Sequence, residues 1–535
     1  MEAHGGRLAV EVLGAHGVDT MFTLSGGHLF VLYDGAEQSG LRLIDTRHEQ
    51  TAVLAAEGWA KVTRRLGCAA ITAGPGVTNG VSAMTAAWMN GSPVVVLAGR
   101  APQTRWGAGS LQELDHVPIV APVTKRAATA TSAASIVAEI DAACRAASTP
   151  HRGPAFVDIP LDAFGPGNVD IPADDSDHGE VADPDAIARV AKLVAAAERP
   201  VLVAGGDVYW AEGEHAMRRF VEAAQVPTFV NGMGRGTLPA DHALAFSRAR
   251  SIALKEADLV LVAGTPLDFR LGFGRFGDAQ VVHLCDAATQ VAGHATLAAS
   301  TAGDLAATFD VLADAGAPSA ARRDWVTRLR DDETAKRAAE APMLEADTAP
   351  IKPARIYGEL RKRLARDAIV IGDGGDFVSY AGKFVDSYEP GTFLDPGPYG
   401  CLGMGPGYAL AAGVAHPGRQ VVLLLGDGAI GFALGDFEAL VRHGVNVVAI
   451  VGNNGIWGLE KHPMQALFGY DVVAELSPGI RYDQVVTALG GHGELVTEPS
   501  EVGPALDRAF AARGVSLVNI LTDPADAYPR SSNLA

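Results

Sequence analysis

The residue types most capable of chemistry stand in two short elements of the last third of the chain. Gly426-Asp427-Gly428 ends an apolar run at 421–425, and Asn453-Asn454 ends another at 445–452. Residues 429–452 between them leave room for one helix and a returning strand. Asp427 and the asparagine pair therefore fall on one carboxyl edge of a parallel sheet, the edge where open α/β sheets bind ligands. The Asp427 carboxylate with the Asn454 carbonyl is a hard oxygen set. It suits Mg²⁺, which fills its other positions with water and phosphate oxygens. Gly426 and Gly428 would let backbone N–H groups approach a phosphate, with the start of a helix at Ala429 adding to the attraction. Either element alone also fits an ordinary strand-ending turn. The chain carries its own control: Gly372-Asp373-Gly374 follows a strand too, but the same spacing from it falls on Tyr399 and Gly400.

Positioning these residues requires a regular scaffold, and short apolar runs alternate with Ala-rich helical stretches from end to end. Strand-like runs stand at 66–74, 92–99, 155–160, 200–206, 258–264, 368–375, 420–428 and 445–454. Runs that are apolar throughout suit parallel strands covered by helices on both faces. Strand alternating with helix is the α/β pattern with right-handed crossovers. Residues 170–186 and 331–353 are acidic, bear proline and lack an apolar period, so they read as linkers. They divide the chain into blocks 1–165, 187–330 and 354–535, which gives three doubly wound parallel-sheet domains, the central one Rossmann-like. A length of 535 residues allows that number at about 150 residues per domain.

Hydrophobic residues at 48 % and charged residues at 20 % exclude a disordered or collagen-like chain, despite 62 Gly and 30 Pro. A net charge of −19 argues against nucleic acid or an anionic membrane as partner. Cys68, Cys144, Cys285 and Cys401 form no C-x-x-C pair, which speaks against a disulfide framework or zinc site and for a reducing compartment. The N-terminus lacks the basic-then-apolar order of a signal peptide, no apolar run is long enough for a bilayer, and the ending SSNLA is not a peroxisomal address. A cytoplasmic protein is expected.

The pairing of Asp427 with Asn454 resembles the signature of thiamine diphosphate enzymes, and the resemblance extends over essentially the whole chain. It implies the thiamine diphosphate-binding fold for the first and third blocks. Asp45-Thr46-Arg47-His48-Glu49-Gln50 looks like the segment that carries the activating carboxylate. Glu49 would then bond the aminopyrimidine ring and favour its imino tautomer; taken alone, it is also a helix-start carboxylate favoured by the macrodipole. Thr72–Asn79 resembles the strand-ending glycine turn of the same domain. By the same resemblance Gly26, Asn79, Gly375 and Asp376 touch the cofactor. Leu402 wedges between its rings, and the Gly400 carbonyl accepts from its amino group. The Ile456 carbonyl is the third protein ligand to Mg²⁺, beside Asp427 and Asn454. Relatives often have Met where Leu402 stands.

Within this superfamily the chain resembles most the branch of 2-hydroxyacyl-CoA lyase and oxalyl-CoA decarboxylase. Arg481–Val485, Ala488–Gly493 and the tail Tyr528–Asn533 carry that likeness. The expectation is cleavage of a 2-hydroxyacyl-CoA to an aldehyde or ketone plus formyl-CoA, reversibly, with a small acyl-CoA as substrate. Ser25–His28 and Ser110–Gln112 resemble the substrate-facing segments of benzaldehyde lyase, and acetolactate synthase is the third branch. His28 would shuttle a proton and Gln112 hold a substrate oxygen; a helix-capping His and a solvent-facing Gln are the plainer readings. Glu494 stands where that branch tends to carry Tyr, either polarising the substrate hydroxyl or serving as a strand-edge charge. In the central block Gly206, Asp286 and Arg270, with Arg530 of the tail, could meet ADP or the nucleotide of CoA; in synthases that domain holds FAD. The alternative is a domain that has kept its fold without the ligand. A homodimer at least, with a homotetramer expected, follows from the resemblance alone. A non-catalytic protein on the same fold is the competing class, and the intact Glu49, Asp427 and Asn454 set argues against it.

Overall fold

Apolar runs without alternation become parallel strands here, buried on both faces. The computed structural model describes residues 3–173, 181–314 and 318–528. The first sheet holds β1 (Thr20–Thr23), β2 (Arg42–Asp45), β3 (Gly67–Ile71), β4 (Val94–Arg100), β5 (Arg126–Thr129) and β6 (Pro154–Pro160), in the order β2-β1-β3-β4-β6-β5. The central sheet holds β7 (Pro200–Ala204), β8 (Thr228–Val230), β9 (Leu259–Ala263), β10 (Gln280–Cys285) and β11 (Ala299–Ala302), in the order β8-β7-β9-β10-β11. The third holds β12 (Ile369–Asp373), β13 (Phe393–Leu394), β14 (Val421–Gly426), β15 (Val447–Asn453), β16 (His492–Val496) and β17 (Val515–Leu521), in the order β13-β12-β14-β15-β17-β16. First and third sheets thus share one strand order. β15 is buried at every position and β4 at all but its last, as parallel strands between two helical layers must be.

The helices that matter below are α1 (Glu49–Thr63), α2 (Pro75–Met89), α3 (Gly206–Trp210), α4 (Ala320–Leu344), α5 (Gly375–Phe384), α6 (Gly405–Ala415), α7 (Asp427–Ala433), α8 (Gly458–Phe468) and α9 (Val502–Ala511). α1 follows the second strand of its sheet, and α6 follows the second strand of the third. These equivalent helices cross each other closely. A Cβ at Gly58 would stand 2.9 Å from the Tyr408 Cα, and one at Gly407 would stand 3.0 Å from the Thr51 carbonyl oxygen. Their side chains join one apolar cluster fed by the first and third sheets, with Tyr209 and Trp210 from α3. Lys61 is the polar node within it. Its ammonium lies 2.9 Å from Glu57 and donates to the Tyr408 hydroxyl at 2.8 Å, while its carbonyl accepts from Tyr209 at 2.6 Å. A charge so deeply buried needs such partners.

One linker expectation is corrected. Residues 331–353 are helical as far as Leu344, as the second half of α4. The helix docks through polar groups, which is why no apolar period marks it. Glu333 accepts the N–H groups of Ser247, Arg248 and Ala249 at 3.0, 2.6 and 2.9 Å and the Arg337 guanidinium at 2.8 Å. Burial alone would raise its carboxyl, but these donors hold it at about 2. In the other linker, residues 174–180 lie outside the described residues, and a helix capped by Asp183 begins at Pro184. Among the described residues no helix is long and apolar enough to cross a membrane.

Candidate active site

The carboxyl ends of the first sheet gather one set of polar groups. Glu49 opens α1, behind His48, whose ring accepts the Gln50 N–H as the N-cap. Glu49 is buried, and one carboxylate oxygen accepts from the Asn79 side chain at 3.0 Å, so Asn79 acts here as the partner of Glu49. The other oxygen faces the glycine turn: a Cβ at Gly76 would stand 3.5 Å from it. That turn also carries Thr72, whose hydroxyl is 3.4 Å from His28 Nδ1 and donates to the Gln112 carbonyl at 3.3 Å. Gly26 packs directly on the Thr72 side chain. Glu49, His28 and Gln112, read separately from the sequence, thus converge around Thr72. Burial lowers the His28 pKa below the usual imidazole value, which keeps the ring neutral at neutral pH.

The third sheet builds the second set. β14 and β15 are neighbours in register, with Gly426 opposite Gly452, so Asp427 and the asparagine turn meet as the spacing required. Asp427 accepts the Gly455 N–H at 2.6 Å and the Gly428 N–H at 3.1 Å. Burial nonetheless pushes its carboxyl up to about 6, as for an anion short of compensating positive charge. Asn454 accepts the N–H of the buried Ile456 at 3.2 Å. Asp376, in the first turn of α5, borders the same space: a Cβ at Gly458 would lie 3.0 Å from its carboxylate and 3.9 Å from the Asn454 amide. The Trp457 ring covers Gly428 so closely that a Cβ there would stand 2.4 Å from it. Leu402 and Ala429 meet above Gly374, and the exposed Gly400 sits at a φ of 69° in the turn before α6. Gln50, next to Glu49, reaches across the two sets and donates to the Leu402 carbonyl at 3.5 Å.

Several supporting residues escaped the sequence reading. His116 is fully buried; its Nε2 accepts the Gly74 N–H at 2.9 Å, so its Nδ1 donates to Asp158 at 2.8 Å. Arg100 binds the same carboxylate at 2.7 Å. This chain of bonds fixes the glycine turn that presses on Gln112. The available signal was Asp158 itself, a charged residue inside an otherwise apolar strand. Asp373 of the second GDG also has a function. It accepts the Gly403 and Gly405 N–H groups at 3.1 and 2.8 Å and so shapes the turn that carries Leu402, while burial pushes it up to about 7.

Models of three consecutive domains of one family match the chain. These are the N-terminal TPP binding domain of thiamine pyrophosphate enzymes at residues 3–119, their central domain at 187–312 and their C-terminal TPP binding domain at 373–520. Acetolactate synthase large subunit IlvG of Mycobacterium tuberculosis is 56 % identical over 99 % of this chain and 98 % of its own. 2-Hydroxyacyl-CoA lyase 2 of Caenorhabditis elegans is 33 % identical over 98 % and 90 %, and that of Homo sapiens 31 % over 93 % and 86 %. The chain is a thiamine pyrophosphate enzyme.

The residues fit that cofactor. A buried carboxylate short of positive charge lies beside the asparagine turn, Gly428 has no room for a Cβ against Trp457, and a carboxylate with a neutral imidazole stands at the strand ends of the first sheet. The remaining candidates of this thiamine pyrophosphate enzyme stand elsewhere. Glu494 lies in the middle of β16, the edge strand, and pairs with Arg508 of α9. It is a strand-edge charge held by that ion pair, two residues short of the strand's carboxyl end. Arg530 and most of the tail expected to close over the site lie outside the described residues. Gly206 and Arg270 line one cleft where the central domain meets residues of the other two, and Asp286 reaches its His151.

Proposed function

We propose that this thiamine diphosphate enzyme is a carboligase of the acetolactate synthase type, with Mg²⁺ held by Asp427, Asn454 and the Ile456 carbonyl. The observation that carries this reading is the 56 % identity, end to end, with a protein bearing that name. It takes precedence over the lyase expected from short segments. The reaction would remove carbon dioxide from one pyruvate and join the remaining two carbons to the keto carbon of a second, with no net oxidation or reduction. Thiamine diphosphate, when bound, supplies the nucleophilic carbon and accepts the electron pair left by bond cleavage. Glu49 would hold the proton at the pyrimidine ring nitrogen, with Asn79 orienting its carboxylate. Neutral His28 would give or take a proton at the substrate oxygen, and the Gln112 amide N–H, its carbonyl already engaged by Thr72, would hold a substrate carboxylate.

A second reading, 2-hydroxyacyl-CoA lyase, is favoured by the lyase relatives at 31 and 33 % identity and by the same His28 and Gln112 pair. One experiment separates them. The purified protein, with thiamine diphosphate and Mg²⁺, is offered pyruvate in one vessel and formyl-CoA with acetone or an aldehyde in another. Acetolactate from the first supports the synthase reading; 2-hydroxyacyl-CoA from the second, without acetolactate, replaces it by the lyase.

A further inference from the structure

The family resemblance puts a nucleotide at the carboxyl ends of β7 and β10. A diphosphate there needs free N–H groups and free cations at the glycine turn after the first strand, and a ribose needs a free acceptor at a strand end. Here the ribose acceptor and the two cations that line the cleft are engaged. The turn reads Gly205-Gly206-Asp207, which places a second buried carboxylate in it. Asp207 lies 3.5 Å from His151 Nδ1, and both Asp286 oxygens lie 3.1–3.2 Å from the same nitrogen. The acceptor expected for a ribose is therefore engaged by a residue of the first domain. Arg270, expected to meet phosphates, is bound to Asp268 at 2.7–3.1 Å. Lys61, the other cation on the cleft, is committed to Glu57 and Tyr408. The cleft measures about 100 Å³, against roughly 300–1,000 Å³ for pockets that enclose ligands of nucleotide size.

We infer that this cleft is closed to nucleotides from within. Asp207 occupies the turn that would cradle a diphosphate, and His151 ties Asp207 and Asp286 into an ion-pair lock between the first and central domains. The central domain then takes neither FAD, nor ADP, nor the nucleotide of CoA, whichever of the two activities the enzyme has. Titration directions agree: burial and Asp286 push the Asp207 carboxyl up, while the two carboxylates outweigh burial and raise His151. The three donor groups lie within 4.8 Å of one another, a spacing a divalent metal could also use. Lys125 lies near Asp286, and Arg152 near both carboxylates, so two fixed cations stand beside the lock.

The test uses the full-length enzyme loaded with thiamine diphosphate and Mg²⁺. The expected result is no flavin absorbance band and no saturable binding of ADP or FAD by calorimetry up to ~1 mM. A stoichiometric flavin band, or an ADP Kd below ~100 μM, overturns the inference. Asp207→Gly should bind ADP at least ~10-fold more tightly than the parent, because like-charge juxtaposition is removed; unchanged affinity overturns the role of Asp207. Asp207→Asn, which keeps the shape, replaces the glycine variant if that one does not fold. His151→Ala should lower the thermal midpoint by ~2–4 °C or more, and an unchanged midpoint overturns the lock. A transition metal found at one per chain in the parent and lost in His151→Ala would replace the lock by a metal site.

Discussion

The first and third sheets have one strand order, and their candidate site residues stand at matching strand ends. After the first strand come Gly26 and His28 on one side, Gly375 and Asp376 on the other. After the second come Glu49 at the head of α1, and Leu402 just ahead of α6. After the third come the Thr72–Gly76 turn and Asp427; after the fourth, the segment with Gln112 and His116, and Asn454 with Ile456. The scaffold is the same and the chemistry is divided. One face offers groups that carry or move a proton; the other offers hard oxygens, N–H groups and closely packed small residues. A cofactor with a titrating ring at one end and a diphosphate at the other fits a scaffold split in that way, and each half should fail in its own manner.

The largest expected effect is on the proton-carrying half. Glu49→Gln should reduce kcat by ~10²–10⁴-fold while thiamine diphosphate stays bound; equal activity, or lost cofactor, would break the division of labour. In the other half, Asp427→Asn should weaken Mg²⁺-dependent cofactor binding by ~100-fold or more, beyond what loss of a supporting residue around a metal costs. Quenching of Trp457, whose ring lies against Gly428, reports that binding. His116→Ala should lower kcat/KM by ~10–100-fold through misplacement of the Gly74 turn, with His116→Gln recovering most of it. Equal loss in both variants would reduce His116 to packing.

The two halves should also part with pH. The Asp427 carboxyl is raised to about 6, so the folded apo-protein holds this proton more tightly than the unfolded chain. The resulting stability is full below the unfolded value and is lost as pH rises through about 6. Mg²⁺ bound at Asp427 would compete with that proton, so its affinity should fall ~10-fold per pH unit below that point; Asp427→Asn should flatten the slope. His28 has the opposite sign. Its lowered pKa keeps the ring neutral, with a stabilising contribution above the unfolded value that fades only as pH falls through the folded one. The smallest effect belongs to Glu494→Gln, which should leave kcat unchanged and cost under ~1 kcal/mol in urea unfolding, as exposed ion pairs do.

The strand runs and the meeting of Asp427 with Asn454 were legible because parallel strands are written in consecutive apolar residues and strand ends fix where their neighbours fall. Glu49, His28 and Gln112 could be named individually, but not their convergence: Thr72, which joins two of them, is an ordinary residue in a glycine turn. Gln112 reaches it from a left-handed backbone at a φ of 58° that no local pattern announces. α4 was misread because Glu333 and Arg337 dock it where apolar residues usually would. Glu494 stood out by its place in a motif, which says nothing of Arg508, the partner that holds it on the edge strand.

The crossing of α1 and α6 has a temporal consequence. Lys61 and Tyr408 are 347 residues apart in sequence, yet they bury each other, and the apolar faces of their helices belong to a single core. On a ribosome adding ~5–20 residues per second, α1 emerges roughly 20–70 s before the helix that covers it. Through that interval the nascent N-terminal third exposes an unfinished apolar face, the kind of surface chaperones shield. Completion of this enzyme is thus timed by its last third, which supplies both the missing wall of the core and the strand ends that carry Asp427 and Asn454.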